Sequence, residues 1–362
     1  MSPTQLRVGI IGASAQSGWA QVSHVPAIQA LDGVTLAAVA TRREESAREA
    51  AAAFGASAWY SDPLAMIQDS AIDVVTVAVK VPDHRDLVLA ALEAGKVVYC
   101  EAPLGGSPAE TQMLAAAAQR SGHGVIGLQG RLNPSVRRAA QIIAEGGIGR
   151  PLNARVVSTT SAWGPATASP YEYFEKKDSG ASLLTITAGH TLDIIEALLG
   201  EITEADARTE ILWPHPRLLD TGGQTSREVP DHAEILAKTS MDTAVSASII
   251  GGVPPEQGDF QLTLRGTDGW LSLAGGSLYG VQGGDLTLTS SAVFDAPDKP
   301  AALAATAGPE LNVAELYARL AQDVETGSRT APDFTHALHN TRLVAAVTEA
   351  AESGQRWASS VR

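Results

Sequence analysis

Five short apolar runs, rich in β-branched residues and separated by Ala-, Leu- and Glu-rich stretches of helical period, fill the first 130 residues. They restrict the possible folds more than any other feature of this chain. The runs cover residues 6–11, 34–40, 73–79, 96–100 and 124–128, with helical stretches at 44–54, 84–94 and 109–120 between them. Continuous apolar runs are what strands buried on both faces require, and parallel neighbours need helical crossovers. The pattern predicts an N-terminal Rossmann-type, doubly wound parallel sheet, an α/β fold.

Beyond Arg131 the texture changes. Helices are expected at 134–145 and 187–199, and a strand at 153–159 is followed by a small-residue loop over 161–170. Strands then dominate from 205 to 289, punctuated by turn signals such as Gly251-Gly252 and Thr267-Asp268-Gly269, and helices at 312–326 and 335–352 close the chain. This reads as a C-terminal α+β domain on a largely antiparallel open sheet. The expected domains are residues 1–130 for dinucleotide binding and 131–362 for substrate and oligomerisation.

Composition narrows the partners. The chain carries 40 acidic and 26 basic residues, a net charge of -14, which disfavours nucleic acid and anionic membrane surfaces. Cys100 is the single cysteine, so neither an intrachain disulfide nor a thiolate cluster for zinc can form, and no metal is expected. No run approaches the ~20 apolar residues of a membrane span. The start, Met-Ser-Pro-Thr-Gln-Leu-Arg, lacks the basic and apolar regions of a secretory signal. The expectation is a soluble, cytoplasmic protein that handles a small molecule.

The first strand runs into Gly9-Ile10-Ile11-Gly12-Ala13-Ser14-Ala15-Gln16-Ser17-Gly18-Trp19. Glycines at a strand-to-helix turn let backbone N–H groups approach a pyrophosphate at the helix N-terminus. Ser14 stands at the second glycine position of the usual Gly-x-Gly-x-x-Gly, and one extra residue precedes Gly18. After the second strand comes Ala40-Thr41-Arg42-Arg43-Glu44-Glu45. An NAD site usually carries an acidic ribose ligand there. One reading makes this a solvated charged face; the other has Thr41 and Arg42 grip a 2′-phosphate, which makes the cofactor NADP(H), with NAD(H) as the alternative.

Further motifs follow in order: Lys80-Val81-Pro82-Asp83-His84 after the third strand, Glu101-Ala102-Pro103 after the fourth, and Leu128-Gln129-Gly130-Arg131 after the fifth. The second half carries Ile148-Gly149, Thr185-Ile186-Thr187-Ala188-Gly189-His190-Thr191-Leu192-Asp193 and Val229-Pro230-Asp231-His232. As a set these resemble the glucose–fructose oxidoreductase/inositol dehydrogenase/rhizopine-catabolism (Gfo/Idh/MocA) family, and within it the subgroup of the fungal galactose-regulon repressor. The resemblance implies a Rossmann domain, an open-sheet C-terminal domain and homo-oligomers, dimers or tetramers, formed through that sheet. It also implies a cofactor set of Gly12, Ser14, Gly18, Trp19, Thr41, Arg42, Lys80, Val81, Pro82, His84, Glu101, Ala102, Pro103 and Gln129. Two departures stand out: Ala102 occupies the family's lysine position, and Ile186 its aspartate position.

His190 is the candidate acid/base, with Asp193 one turn on as its orienting partner; a buried, satisfied histidine is the structural alternative. Lys80, at the carboxyl end of a strand, is either a replacement cation for Ala102 or a surface lysine. Arg131, Trp163, Tyr173 and Thr187 join His190 as candidate substrate residues, although a tryptophan in an irregular loop is as often an anchor. Two functions result. One is an NADP-dependent oxidoreductase acting on CH–OH groups of a sugar, polyol or related small alcohol or carbonyl. The other is a dinucleotide-sensing regulator without turnover.

Overall fold

The computed structural model describes residues 5–359. Strands β1 (Leu6–Ile11), β2 (Val34–Ala40), β3 (Ala58–Tyr60), β4 (Val74–Val77), β5 (Val97–Glu101) and β6 (His123–Gly127) form a sheet in the order β3-β2-β1-β4-β5-β6. Every pairing is parallel. The crossovers are helical: α1 (Val25–Gln29), α2 (Glu44–Phe54), α3 (Pro63–Gln68), α4 (His84–Glu93) and α5 (Pro108–Ser121). All four residues of β4 are buried, as a central strand covered on both faces demands. Local signals set the helix ends. Asp62 and Ser107 accept hydrogen bonds from Leu64 N and Glu110 N at the starts of α3 and α5, and Gly55 ends α2 in the left-handed region. The three-residue strand β3 was not expected from the sequence; it is too short to show a period, and Trp59 on it is exposed.

The next compact unit contains residues 130–299 and 340–359. It begins with α6 (Pro134–Ala144) and β7 (Pro151–Thr159), a short strand β8 (Ala166–Thr167), and α7 (Gly189–Leu199). Then come β9 (Ile202–Glu210), β10 (Arg217–Leu218), β11 (His232–Thr239), β12 (Ala244–Ile250), β13 (Phe260–Gly266), β14 (Trp270–Gly275) and β15 (Thr287–Ser290), with β16 (Trp357–Ala358) near the end. Eight of these strands form one sheet, ordered β15-β14-β13-β7-β12-β11-β9-β16, in which only β7 and β12 are parallel. One face of the sheet packs with α6 and α7 in a single core that includes Ile142, Leu192, Ile195, Val156 and Leu262. On the other face, the register aligns Leu236, Ser246, Arg155, Thr263 and Ser272 in one row. Val157 and Trp270 share that face by the period of two, and Val157, Leu236 and Trp270 are all exposed.

The chain then rejoins the first unit, which consists of residues 5–129 together with 300–339. The domains are therefore not the contiguous blocks 1–130 and 131–362. The physical reason is the edge strand β6. The segment after α8 (Pro309–Thr326) covers it: Ile126 N donates to Pro332 O at 2.9 Å, and Val125 bridges Asp333. Phe334, the first residue of α9 (Phe334–Ser353), lies where a Cβ on Gly124 would come within 2.5 Å of its ring, so β6 needs glycine there. No helix among the described residues is long and apolar enough to cross a membrane.

Asp323 fastens this returning segment. Its carboxylate accepts hydrogen bonds from Thr330 N (2.7 Å), Ala331 N (2.8 Å), Ser328 Oγ (2.7 Å) and Thr330 Oγ1 (2.8 Å). Burial pushes its pKa up, but the hydrogen bonds outweigh burial and hold it below the ordinary carboxylate value. A depressed folded-state pKa contributes stability that is present above the unfolded value of about 3.9 and is lost as pH falls through the folded value. Asp323→Asn is expected to lower unfolding stability in urea by about 1–3 kcal/mol at pH 7. The gap from the unsubstituted chain should narrow below pH ~4; a gap independent of pH would contradict the role of the carboxylate charge.

Candidate active site

In the first unit, the carboxyl ends of β1, β2, β4, β5 and β6 lie on one side of the sheet because all the pairings are parallel. Ligands of open α/β sheets bind at that side. Gly12 leaves β1 with φ +97°, and a Cβ there would sit 2.3 Å from the Ala78 carbonyl oxygen, so only glycine passes this point. Gly18, at φ +116°, would have nothing within 4 Å of an added Cβ. Between them Ser14 Oγ accepts from Gln16 N at 3.2 Å, and Trp19 leads into a helical segment that continues to Gln29. An open glycine turn feeding a helix N-terminus fits the pyrophosphate of a dinucleotide.

At the end of β2, the Thr41 hydroxyl donates to Arg43 O at 2.9 Å and lies 2.7 Å from Ser46 Oγ, so it is engaged within its own turn. Arg42 is exposed, and its Nη2 lies 2.5 Å from Asp83 Oδ2. Asp83 ends a short turn, Val81–Asp83, that contains Pro82 and is preceded by the exposed Lys80. His84 is buried rather than open to a ligand. Its Nε2 lies 3.0 Å from Val79 O, and its Nδ1 lies 3.1 Å from Pro103 O and 3.3 Å from Cys100 Sγ. Burial pushes the imidazole pKa down and the Cys100 thiol up. His84 thus acts as an internal tie between the exit of β4 and the loop after β5, where the Ala102–Pro103 bond is cis.

That loop starts at Glu101, the visible end of a buried polar chain. Glu101 Oε1 lies 2.9 Å from His24 Nε2, His24 Nδ1 lies 2.9 Å from the Tyr317 hydroxyl, and that hydroxyl is 2.8 Å from Thr76 Oγ1. The Tyr99 ring centroid is 5.0 Å from those of both His24 and Tyr317. Burial raises the Tyr317 and Tyr99 pKa values, so both stay protonated. Sequence reading missed His24, Thr76 and Tyr317; His24 and Tyr317 lie 293 positions apart, and no local pattern links them. Beside Glu101, β6 leads to Gln129, a wholly buried residue whose amide oxygen and nitrogen both lack a hydrogen-bond partner among the described residues. An orphaned amide at this end of the sheet fits a polar ligand group that would complete it.

In the second unit, Arg131 Nη1 donates to Asp193 Oδ1 at 2.9 Å, with Asp193 buried. His190 and Asp193 both lie on α7, one turn apart and both buried. Thr187 is buried in the π-helical turn Leu184–Ala188 before α7, and its hydroxyl oxygen has no partner among the described residues. Trp163 is an anchor rather than an open stacking face: it is buried, its Nε1 donates to Phe174 O at 3.1 Å, and its ring centroid lies 5.4 Å from that of Phe174. Tyr173 packs on Phe174 at 4.3 Å, and burial pushes its pKa up to about 12. No cluster of three or more metal-ligating side chains occurs among the described residues.

A profile described as "Oxidoreductase family, NAD-binding Rossmann fold" matches residues 6–127, and one described as "Gal80p, C-terminal domain" matches residues 134–275. The dehydrogenase aclE of Aspergillus oryzae is 32% identical over 286 residues, covering 76% of this chain and 78% of the relative. The chain belongs to the Gfo/Idh/MocA family. The galactose/lactose metabolism regulatory protein GAL80 of Saccharomyces cerevisiae is 28% identical over 295 residues, 75% of this chain and 67% of the relative. A super-repressor mutant of Gal80p from the same organism superimposes with a TM-score of 0.87 at 24% identity, over 98% of both chains, a likeness of fold. This Gfo/Idh/MocA chain thus shares its architecture with a regulator as well as with dehydrogenases.

An unforeseen ion cluster holds the loop that carries Trp163. Arg227 donates to Glu175 Oε2 (2.6 Å), Asp231 Oδ2 (2.8 Å), Trp163 O (2.7 Å) and Gly164 O (2.9 Å). All three charged side chains are essentially buried. Asp231 also accepts from Leu212 N and Trp213 N, at 2.9 Å and 2.8 Å. Removing the one cation strands two carboxylates, so Arg227→Met is expected to cost about 3–5 kcal/mol. Chemical denaturation checks this; a loss under 1 kcal/mol would mean the cluster relaxes to solvent.

Proposed function

We propose that this chain is an oxidoreductase that uses NADP(H), with NAD(H) as the alternative, and acts on the CH–OH carbon of a sugar, polyol or related small alcohol or carbonyl. One observation carries the reading. Buried His190 sits on α7 one turn before Asp193, whose charge Arg131 balances at 2.9 Å, with the orphaned Thr187 hydroxyl just before the helix. A buried acid/base residue beside a balanced ion pair and an unfilled hydroxyl is what proton transfer at a substrate oxygen needs.

Gly12, Ser14, Gly18 and the start of the following helix would hold the pyrophosphate, Arg42 a 2′-phosphate, and Gln129 a polar group of the cofactor or substrate. When bound, the nicotinamide supplies or takes up the hydride. His190 handles the proton. As the neutral imidazole it accepts the hydroxyl proton in the oxidising direction, and as the imidazolium it returns it in reverse. Thr187 offers its hydroxyl to orient a substrate oxygen. Lys80 supplies the cation for a forming alkoxide in place of the side chain missing at Ala102. The exposed face of the eight-stranded sheet, with Val157, Leu236 and Trp270 uncovered, supports assembly into a homodimer or tetramer.

A second reading, a dinucleotide-sensing regulator without turnover, is favoured by Ala102 and Ile186 at the lysine and aspartate positions of the family pattern. A screen of sugars and polyols with NADP⁺ and NAD⁺, followed by absorbance of the reduced cofactor, separates the two. The enzyme reading expects turnover on at least one compound, faster with NADP⁺. It expects His190→Ala to lower that turnover by ~10²–10⁴-fold while dinucleotide binding persists. Lys80→Met should also lower turnover. Binding of dinucleotide without turnover on any compound supports the regulator, and near-full turnover in His190→Ala removes the histidine from the proton path.

Sedimentation at micromolar concentration tests assembly. The unsubstituted chain should run as a dimer or tetramer, and Leu236→Glu, which places a charge on the exposed sheet face, should shift it toward monomer. A 37.5 kDa species alone would reject the assembly.

A further inference from the structure

The ion pair between Arg42 and Asp83 joins two loops that belong to different strands. Arg42 follows β2 and Asp83 follows β4, and these strands flank β1 on either side. Two strand spacings amount to ~9–10 Å, a span that the long arginine side chain crosses to meet the carboxylate at 2.5 Å. The pair therefore bridges the carboxyl end of β1, the place where the strand opens into the glycine turn at Gly12.

Arg42 is the most exposed member of this group, with 81% of its side chain accessible, and Asp83 is 42% accessible. An ion pair that open is weak, because water and salt screen it and two mobile side chains must be ordered. A second anion can exchange with Asp83. Thr41 does not supply an alternative donor, since its hydroxyl already serves Arg43 O and Ser46. The backbone of Asp83 is held independently of Arg42, because its N–H donates to Lys80 O at 2.9 Å within the turn.

We propose that Asp83 is a specificity-determining residue for the dinucleotide: it occupies the Arg42 guanidinium across the end of β1 and competes there with an adenosine 2′-phosphate. The proposal rests on the reading of Arg42 as the 2′-phosphate ligand. A dinucleotide bearing that phosphate must take Arg42 from Asp83 and then lie beside a carboxylate of its own sign. A dinucleotide with a free ribose hydroxyl meets neither cost. Asp83 therefore narrows the preference for NADP(H) that Arg42 creates, and holds the site open to both cofactors.

Calorimetric titration of NADP⁺ and NAD⁺ against the unsubstituted chain, Asp83→Asn, Arg42→Ala and the double variant tests this without any turnover assay. Asp83→Asn should tighten NADP⁺ by roughly three- to tenfold, the scale of one exposed pair together with relief of a like charge. NAD⁺ should change by less than about twofold, and most of the NADP⁺ gain should vanish in the Arg42→Ala background. Asp83 is half-buried at the surface, and an unchanged melting temperature would confirm that Asp83→Asn keeps the fold. Weaker NAD⁺ binding in Asp83→Asn would make the carboxylate a ribose ligand and overturn the proposal, as would unchanged affinity for both cofactors. If Arg42→Ala leaves the ratio of the two affinities where it was, the 2′-phosphate reading itself fails, and Asp83 has nothing to compete for.

Discussion

The parallel pairing of β1 with β2 on one side and β4 on the other governs the rest of the first unit. Because the three strands run the same way, residues 12, 41 and 80 emerge at one end of the sheet even though long crossovers separate them in the chain. Antiparallel neighbours would have sent alternate loops to opposite ends. The close pass of Gly12 over the Ala78 carbonyl follows from the same pairing, since β1 and β4 are adjacent and their exits must share space. The requirement for glycine is thus set by strand adjacency before any ligand is considered.

A second layer of order lies below that surface. Thr76, Tyr317, His24 and Glu101 form a continuous run of polar contacts through an otherwise apolar interior. In a medium of low dielectric such a run is favourable only when each member is satisfied, and it then fixes side-chain positions more sharply than apolar packing does. Its outer member precedes the cis Ala102–Pro103 bond, and His84 holds the far side of the same loop. Alanine at position 102 therefore sits in a loop held from both flanks.

Much of this architecture was legible from residue order. The strands at 6–11 and 34–40 and the helix at 44–54 have the bounds that apolar runs and helix-end signals indicate. The glycine turn, the Arg42 position and the helix carrying His190 also followed from local pattern. What local pattern does not contain is pairing between distant segments. Arg227 carries no local signal, and its burial against Glu175 and Asp231 depends on a fold that brings three loops together. Trp163 read equally well as a platform or an anchor, and the choice was made by Phe174 and a backbone carbonyl. Asp193 accepts from Arg131, 62 positions earlier in the chain, a pairing that no local spacing contains.

The division of the first unit between residues 5–129 and 300–339 bears on how the chain is made. When residue 129 leaves the ribosome all six parallel strands have been synthesised, but the segment that caps β6 is still about 200 residues away. At ~5–20 residues per second that interval is roughly 10–40 s. Throughout it the backbone groups of β6 and the space beside Gly124 face solvent or other nascent chains, which exposes an apolar parallel edge to wrong pairing. Synthesis of the first unit is therefore early, but its completion is late. A chaperone that shields β6 until Phe334 arrives would act on an intermediate dictated by the order of segments along the chain.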